Sequence, residues 1–350
     1  MTPTPDPLIA ETDLGPQLQT EEPNAPPAKG GAFGSILRIL WTRFLPALLT
    51  LWLISVIVFA STHVLGINVA LRVLGRQATP EQLAEFNKAV GLDRPAVEQY
   101  GVWLWDFVRG DWGTSVVSTD RPIMDMVAPR TMYTLILALA SIIVALPISI
   151  AFGIYLARPG SRVREVILSV ANVSLAAVPV FVVGIVLIYV FSVRLGVTPT
   201  ASGGLAFGSF TDKAMAFVLP TLTLVISLLP HIARLTQVSV RETMATPYAR
   251  AAVLRGLPRR VITYRHLMPN AAGPIVTVVA LDLIWLIGGV IIVENVFGFP
   301  GLGVLLVQAI AAGDLLVVQA VAMVMGVLFI GIGMAADILA AVFNPRLRNA

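Results

Sequence analysis

The chain has 350 residues, of which 57% are hydrophobic and 13% charged, and its formal net charge is +4. A soluble domain carries about a quarter of its residues as charges, so roughly half the usual charge is missing, and a mean hydropathy of +0.84 points to a membrane protein. The lack of cysteine excludes disulfides, thiolate metal sites and cysteine nucleophiles.

Residues 1–34 hold seven prolines, five acidic residues and almost no apolar periodicity. Such a segment buries too little surface to offset its chain entropy and is expected to be a disordered, Pro-rich tail. It lacks the basic start and apolar core of a signal peptide. Long uncharged stretches follow. A first span is expected within residues 35–65, and five more at about 131–157, 166–193, 214–233, 269–293 and 315–343. Each reaches the roughly 20 residues that a helix needs to cross a hydrocarbon layer of about 30 Å. Only Asp282 interrupts the fifth. Placed against lipid, that carboxylate would cost about 2.5–3.5 kcal/mol, so it is expected to face a neighbouring helix or an aqueous cavity. Pathway lining and a structural polar pair are both open for it.

Arginine and lysine set the expected orientation. Lys29, Arg38 and Arg43 precede span one, Arg158, Arg162 and Arg164 lie between spans two and three, and Arg346 and Arg348 follow span six. Seven arginines, from Arg234 to Arg265, fall between spans four and five, whereas the alternate short loops hold only Arg194 and Lys213. Both termini and the Arg-rich loop, residues 234–268, are therefore expected in the cytoplasm. Residues 66–130 form a longer connection, read as a small helical domain on the outside, because loops of that length cross regardless of charge. Thr79-Pro80-Glu81-Gln82 is a helix start, with Thr79 and Gln82 as reciprocal caps. A second helix is expected from Pro95 to Val108, stopping at Gly110. Trp103, Trp105 and Trp112 cluster here and suit a lipid-headgroup anchor, with a surface for a partner protein as the other reading.

Catalytic motifs are missing. His63, His231 and His266 form no zinc-type spacing, and there is no Gly-x-Ser-x-Gly elbow. The only lysines, Lys29, Lys88 and Lys213, do not follow glycine, so no phosphate-binding loop exists. This chain is not expected to be an enzyme, or to bind a metal, a cofactor or nucleic acid.

The most informative segment is Pro247–Asn270. Ala249–Leu254 is a short helix former with small side chains on one side, and Gly256 is a helix stop. A basic second helix leads through Pro269 into the membrane. A small-faced, arginine-rimmed elbow suits insertion into a groove on another protein; an ordinary basic loop is the other reading of the same residues.

The spacing resembles the EAA loop of ABC-importer permeases: Glu-Ala-Ala, three residues, Gly, nine residues, then Ile-x-Leu-Pro. Arg250-Ala251-Ala252, Gly256 and His266-Leu267-Met268-Pro269 keep every interval, with Arg250 for Glu, His266 for Ile and Met268 for Leu. These departures resemble the dipeptide/oligopeptide/nickel branch, as do Gly110-Asp111-Trp112-Gly113-Thr114-Ser115, Val178-Pro179-Val180-Phe181 and Glu294 to Gly303. Asp337 and Asn344-Pro345-Arg346 are similar to its closing residues, and the resemblance covers about residues 36–348.

The resemblance implies an all-α polytopic protein with six transmembrane helices, the type I importer permease fold, in the bacterial inner membrane. It implies a second homologous permease subunit, two ABC ATPase subunits carrying the ATP and magnesium, and an extracytoplasmic solute-binding protein. Arg250, Ala251, Ala252, Arg255, Gly256 and Leu257 would couple to the ATPases. Asp282, Glu294, Phe297, Pro300 and Gly301 are pathway or gate candidates, although Glu294–Gly303 also reads as a static turn. Pro147, Pro179, Pro220 and Pro230 lie within spans, where they either bend a helix for gating or are simply tolerated. The expected cargo is dipeptides or oligopeptides, with nickel complexes, glutathione, opines, sugars or haem as rivals. A stand-alone secondary transporter would leave the elbow unexplained, and a membrane enzyme would need a nucleophile–base pair.

Overall fold

The computed structural model describes residues 32–64, 77–90, 93–115, 117–118, 121–158, 160–203 and 209–343. Most of the expected tail, Gly91 and the segment Asn344-Pro345-Arg346 lie outside the described residues. Among the described residues the chain is helical, with a lone antiparallel bridge between Thr114 and Pro122. Five helices are long and apolar enough to cross a membrane, and there are six if a pair bent by 97° is counted as one span.

Helix α1 is Ala32–Val64. Two short helices follow, α2 (Pro80–Val90) and α3 (Ala96–Arg109). The Thr79 amide donates to Gln82 Oε1 (3.0 Å) and the Gln82 amide donates to Thr79 Oγ1 (3.3 Å), the reciprocal cap that the spacing calls for. α3 presents Tyr100, Trp103 and Phe107 on one face, where they pack in sequence from Phe59 of α1 to Trp112. The tryptophans therefore do not act as one anchor. Trp103 and Trp112 turn inward, whereas Trp105, on the opposite face of the helix, is exposed beneath the Arg109 guanidinium.

Helix α4 runs from Ile123 to Ala157, and so begins before Arg130, where the uncharged stretch starts. The third span departs from a straight helix. It comprises α5 (Arg162–Ala177) and α6 (Val180–Leu187), the latter continued by a π-helical stretch Ile188–Arg194, and the two parts meet at 97°. Proline explains the break. Pro179 has no N–H to continue the ladder, and its ring drives Val178 to an extended ψ of 123°. Pro147, Pro220 and Pro230 instead lie inside continuous helices.

Helix α7 (Phe210–Met244) continues past Arg234 and Arg241, so the elbow begins later than the charge pattern suggests. The elbow helix α8 is Pro247–Leu254. A turn at Arg259–Val261 and a π-helical stretch Ile262–Leu267 feed α9, Met268–Phe297. An 11-residue helix that the sequence reading missed, α10 (Leu302–Ala312), precedes α11, Leu315–Phe343.

The core lies where α4, α7 and α9 meet, around Leu137, Ala145, Leu219, Leu224, Val290 and Val293. α4 and α7 approach closely at Gly153, where a Cβ would lie 2.5 Å from Thr236 Cβ and 2.6 Å from the Ala233 carbonyl oxygen. α11 packs on α9 through Ala280, Ala336 and Ala340, small residues that let backbones approach without a hydrophobic drive from water. α1 leans on α11 near Gly326 and is otherwise little covered by its own chain.

Candidate functional site

The candidate residues fall at three levels along one helical rod. The elbow residues sit at its start, Asp282 midway, and Glu294 to Gly301 at its end. Twelve residues of α-helix separate Asp282 from Glu294, about 18 Å. The candidates therefore form no single site.

At the elbow, Thr246 precedes Pro247 at the first helical position, and the Thr246 carbonyl accepts the Arg250 amide at 3.1 Å. The helix stops by a double bond pattern: the Gly256 amide donates to the Val253 carbonyl (3.0 Å) and the Leu257 amide to that of Ala252 (3.4 Å). This arrangement needs a left-handed residue, and Gly256 supplies it with a φ of 69°. Ala249 and Ala252 are buried among Ile154, Val240, Ile262 and Ala271, which seats α8 on the ends of α4, α7 and α9. Gln237 Nε2 and Arg241 Nη2 both donate to the Leu156 carbonyl at 3.2 Å, closing the end of α4. Arg241 also lies 3.6 Å from Glu165. The opposite face is uncovered. Leu254 is 88% exposed, Tyr248, Val253 and Tyr264 are exposed, and so are Arg250, Ala251 and Arg255.

At the other end, α9 stops with the same bond pattern, Gly298 donating to Asn295 and Phe299 to Glu294. The Glu294 side chain, fully buried, turns back over the next helix start. Thr134 Oγ1 donates to Glu294 Oε1 and the Gly303 amide donates to Glu294 Oε2, both at 2.6 Å. The Val304 amide is a further donor, and Arg130, one turn before Thr134, acts on the carboxylate electrostatically. Thr134 Oγ1 also accepts the Leu302 amide at 3.0 Å. Glu294 and Thr134 thus cap the first turn of α10, where free amides and the helix dipole favour negative charge. Gly301 is required by proximity, since a Cβ there would overlap the Glu294 carboxyl group. Phe297 is buried, and Phe299 packs edge-on against Phe217 at 4.8 Å. The Phe297 carbonyl accepts the Ser202 amide at 2.8 Å. Pro300 is half-buried. The arrangement is a clamp joining α4, α9 and α10.

Asp282 lies among apolar residues of α9 and is 7% exposed; its Oδ2 makes no hydrogen bond. His231 of α7, which is exposed, lies within electrostatic reach.

Several contributors escaped the sequence reading. Thr134 is 160 residues from Glu294, and nothing local distinguishes it from the other hydroxyls of α4. Ser115 donates a short hydrogen bond to Asp314, whose Oδ1 accepts the Val317 amide, so the Gly110–Ser115 segment is tied to the start of α11. Within that segment the Gly113 amide donates to Asp111 Oδ1 at 3.2 Å, and Trp112 stacks on Phe107.

The chain is similar to several known proteins. Residues 36–151 match the family described as "Binding-prot-dependent transport system membrane comp, N-term". Glutathione transport system permease protein GsiC of Escherichia coli (strain K12) is 34% identical over 313 residues, covering 89% of this chain and 99% of that protein. GsiC of Shigella dysenteriae serotype 1 gives the same figures. The MetNI methionine ABC transporter in an inward-facing conformation overlays on 61% of this chain and 92% of its own, with 19% identity and a TM-score of 0.47. Residues 149–349 match the family "Binding-protein-dependent transport system inner membrane component", and the chain belongs to that family of multi-pass ABC-importer permeases.

Proposed function

We propose that this chain forms half of the translocation pathway of an ATP-driven importer for small peptides, glutathione, a modified tripeptide, among them. A second permease completes the pathway. Two ATPase subunits, which carry ATP and magnesium, dock on the elbow, and a solute-binding protein delivers cargo at the opposite end. The elbow and both termini lie in the cytoplasm, as the arginine distribution indicates.

The observation that carries this reading is the two-faced elbow. Ala249 and Ala252 fix its inner face to the bundle, while Leu254, Val253 and Tyr248 stand exposed and are rimmed by Arg250 and Arg255. Exposed apolar side chains on a segment outside the spans mark a surface that a partner covers. ATP binding favours one arrangement of the ATPases, and the elbow passes that preference to the spans. The peptide class of cargo is supported by the relatives named for glutathione transport.

The test is Gly256→Trp. The left-handed backbone at Gly256 resists any side chain, yet nothing lies within 4 Å of the added Cβ, so the core is untouched. The variant is expected to stay folded and to lose co-purifying ATPase subunits or ATP-driven uptake. A variant that keeps both would refute the docking role. Uptake into vesicles holding this polypeptide alone would replace the whole reading with a secondary transporter.

A further inference from the structure

Asp282 is a carboxylate with one oxygen idle in a region where an idle polar atom is expensive. On its own helix the nearest arginine is far off: the rod from Ile262 to Phe297 carries a single one, Arg265, near its start. His231 is the basic group within reach.

The surroundings indicate what completes the site. Leu281, Trp285, Gly288 and Ile292 recur along α9 with helical spacing, and all four are exposed, so the chain leaves this stripe open. Trp285, 80% exposed, is one turn from Asp282, the separation at which helical side chains are neighbours. Gly288 has open space above it. An indole face beside a carboxylate is an arrangement for an organic cation, the ring attracting the charge and the carboxylate accepting its N–H groups. A metal ion fits poorly, since among the described residues no three His, Asp or Glu side chains cluster.

We propose that Asp282, Trp285 and His231 form a recognition point in the pathway for the cargo's ammonium group, with Asp282 as ion partner, Trp285 as cation–π wall and His231 as a polar neighbour that orients the carboxylate. The site rests on the permease reading above and adds the charge class of the cargo to it. Selection then occurs twice, once in the binding protein and again midway through the membrane.

The complete assembly, reconstituted in vesicles, is given radiolabelled tri-alanine and glutathione, each alongside its desamino analogue, and ATP-driven uptake is measured. The same binding protein serves every variant, so a change in the amine-to-desamino ratio belongs to the permease. A lost charge-assisted hydrogen bond corresponds to about a tenfold effect or more. Asp282→Asn is expected to lower the ratio by about that factor, while Asp282→Glu retains most of it. A residue of merely structural importance would reduce uptake of both forms equally. An unchanged ratio in Asp282→Asn overturns the proposal. So does loss of the second permease from that variant, which would mean that the carboxylate pairs with a partner's cation. Failure of the wild-type assembly to move either probe with its ATPases attached overturns the cargo class but leaves the permease reading standing. Failure of the ATPases to attach overturns the permease reading itself.

Discussion

Replacing Thr134 with valine tests whether the buried carboxylate clamp holds α10 in place. Valine matches threonine in shape, so no cavity opens and the change is confined to one hydroxyl. That hydroxyl donates to Glu294 at 2.6 Å and accepts the Leu302 amide at 3.0 Å. Loss of a hydrogen bond to a charged group is worth about 1.5–3 kcal/mol, and an amide left buried without a partner adds about 1–3 kcal/mol. The two effects share one network and do not add fully, so a destabilisation of about 3 kcal/mol is expected. For a chain of 350 residues, with an unfolding entropy of about 2.1 cal/mol/K per residue, this corresponds to roughly 4 °C in the unfolding midpoint. The assay is thermal loss of the monodisperse species in detergent, together with amide exchange at Leu302, whose protection should fall. Thr134→Ser, which keeps the hydroxyl, should stay near wild type. A Thr134→Val protein that melts within about 1 °C of wild type, with Leu302 still protected, refutes the clamp.

Two further substitutions probe separate parts of the bundle. Gly153→Val forces methyl groups against Thr236 and the Ala233 carbonyl, and overpacking of this kind costs about 1–3 kcal/mol; it should separate α4 from α7 and raise the yield of aggregated protein on size-exclusion chromatography. Ser115→Ala removes a buried partner of Asp314 and should weaken the tie by about 1.5–3 kcal/mol. Proteolysis between Gly110 and Pro122 should then speed up, with α11 unaffected because Asp314 still caps it through Val317.

Features governed by neighbours in sequence were legible before the structure. The Thr79–Gln82 cap and the Gly110 and Gly256 stops each follow from a few adjacent residues, and each is present. The bend at Pro179 was half legible. Proline marks a weakness in any helix, but the same residue type at Pro147, Pro220 and Pro230 leaves the helices continuous. Packing decides between these outcomes, and packing is not written in the local pattern. α10 went unseen because 11 apolar residues are too few to cross a membrane, and counting lengths discards them. The Glu294–Gly303 turn was recognisable as a unit, but its logic was not, because the hydroxyl that completes it arrives from α4. Asp282 was legible as an anomaly from composition alone; its neighbours Trp285 and His231 gained meaning only once the exposed stripe of α9 was known.

The unbroken run from Ile262 to Phe297 has a mechanical corollary. Its 36 residues amount to a strut of about 54 Å, joined to the elbow at one end and gripping its neighbours through Glu294 at the other. A swing of about 5° about one end would carry the other through roughly 5 Å, nearly one helical turn. A small tilt at the foot of such a beam therefore becomes a large displacement at its tip, and α10, tied there through the Gly303 and Val304 amides, would follow the beam rather than act as a hinge.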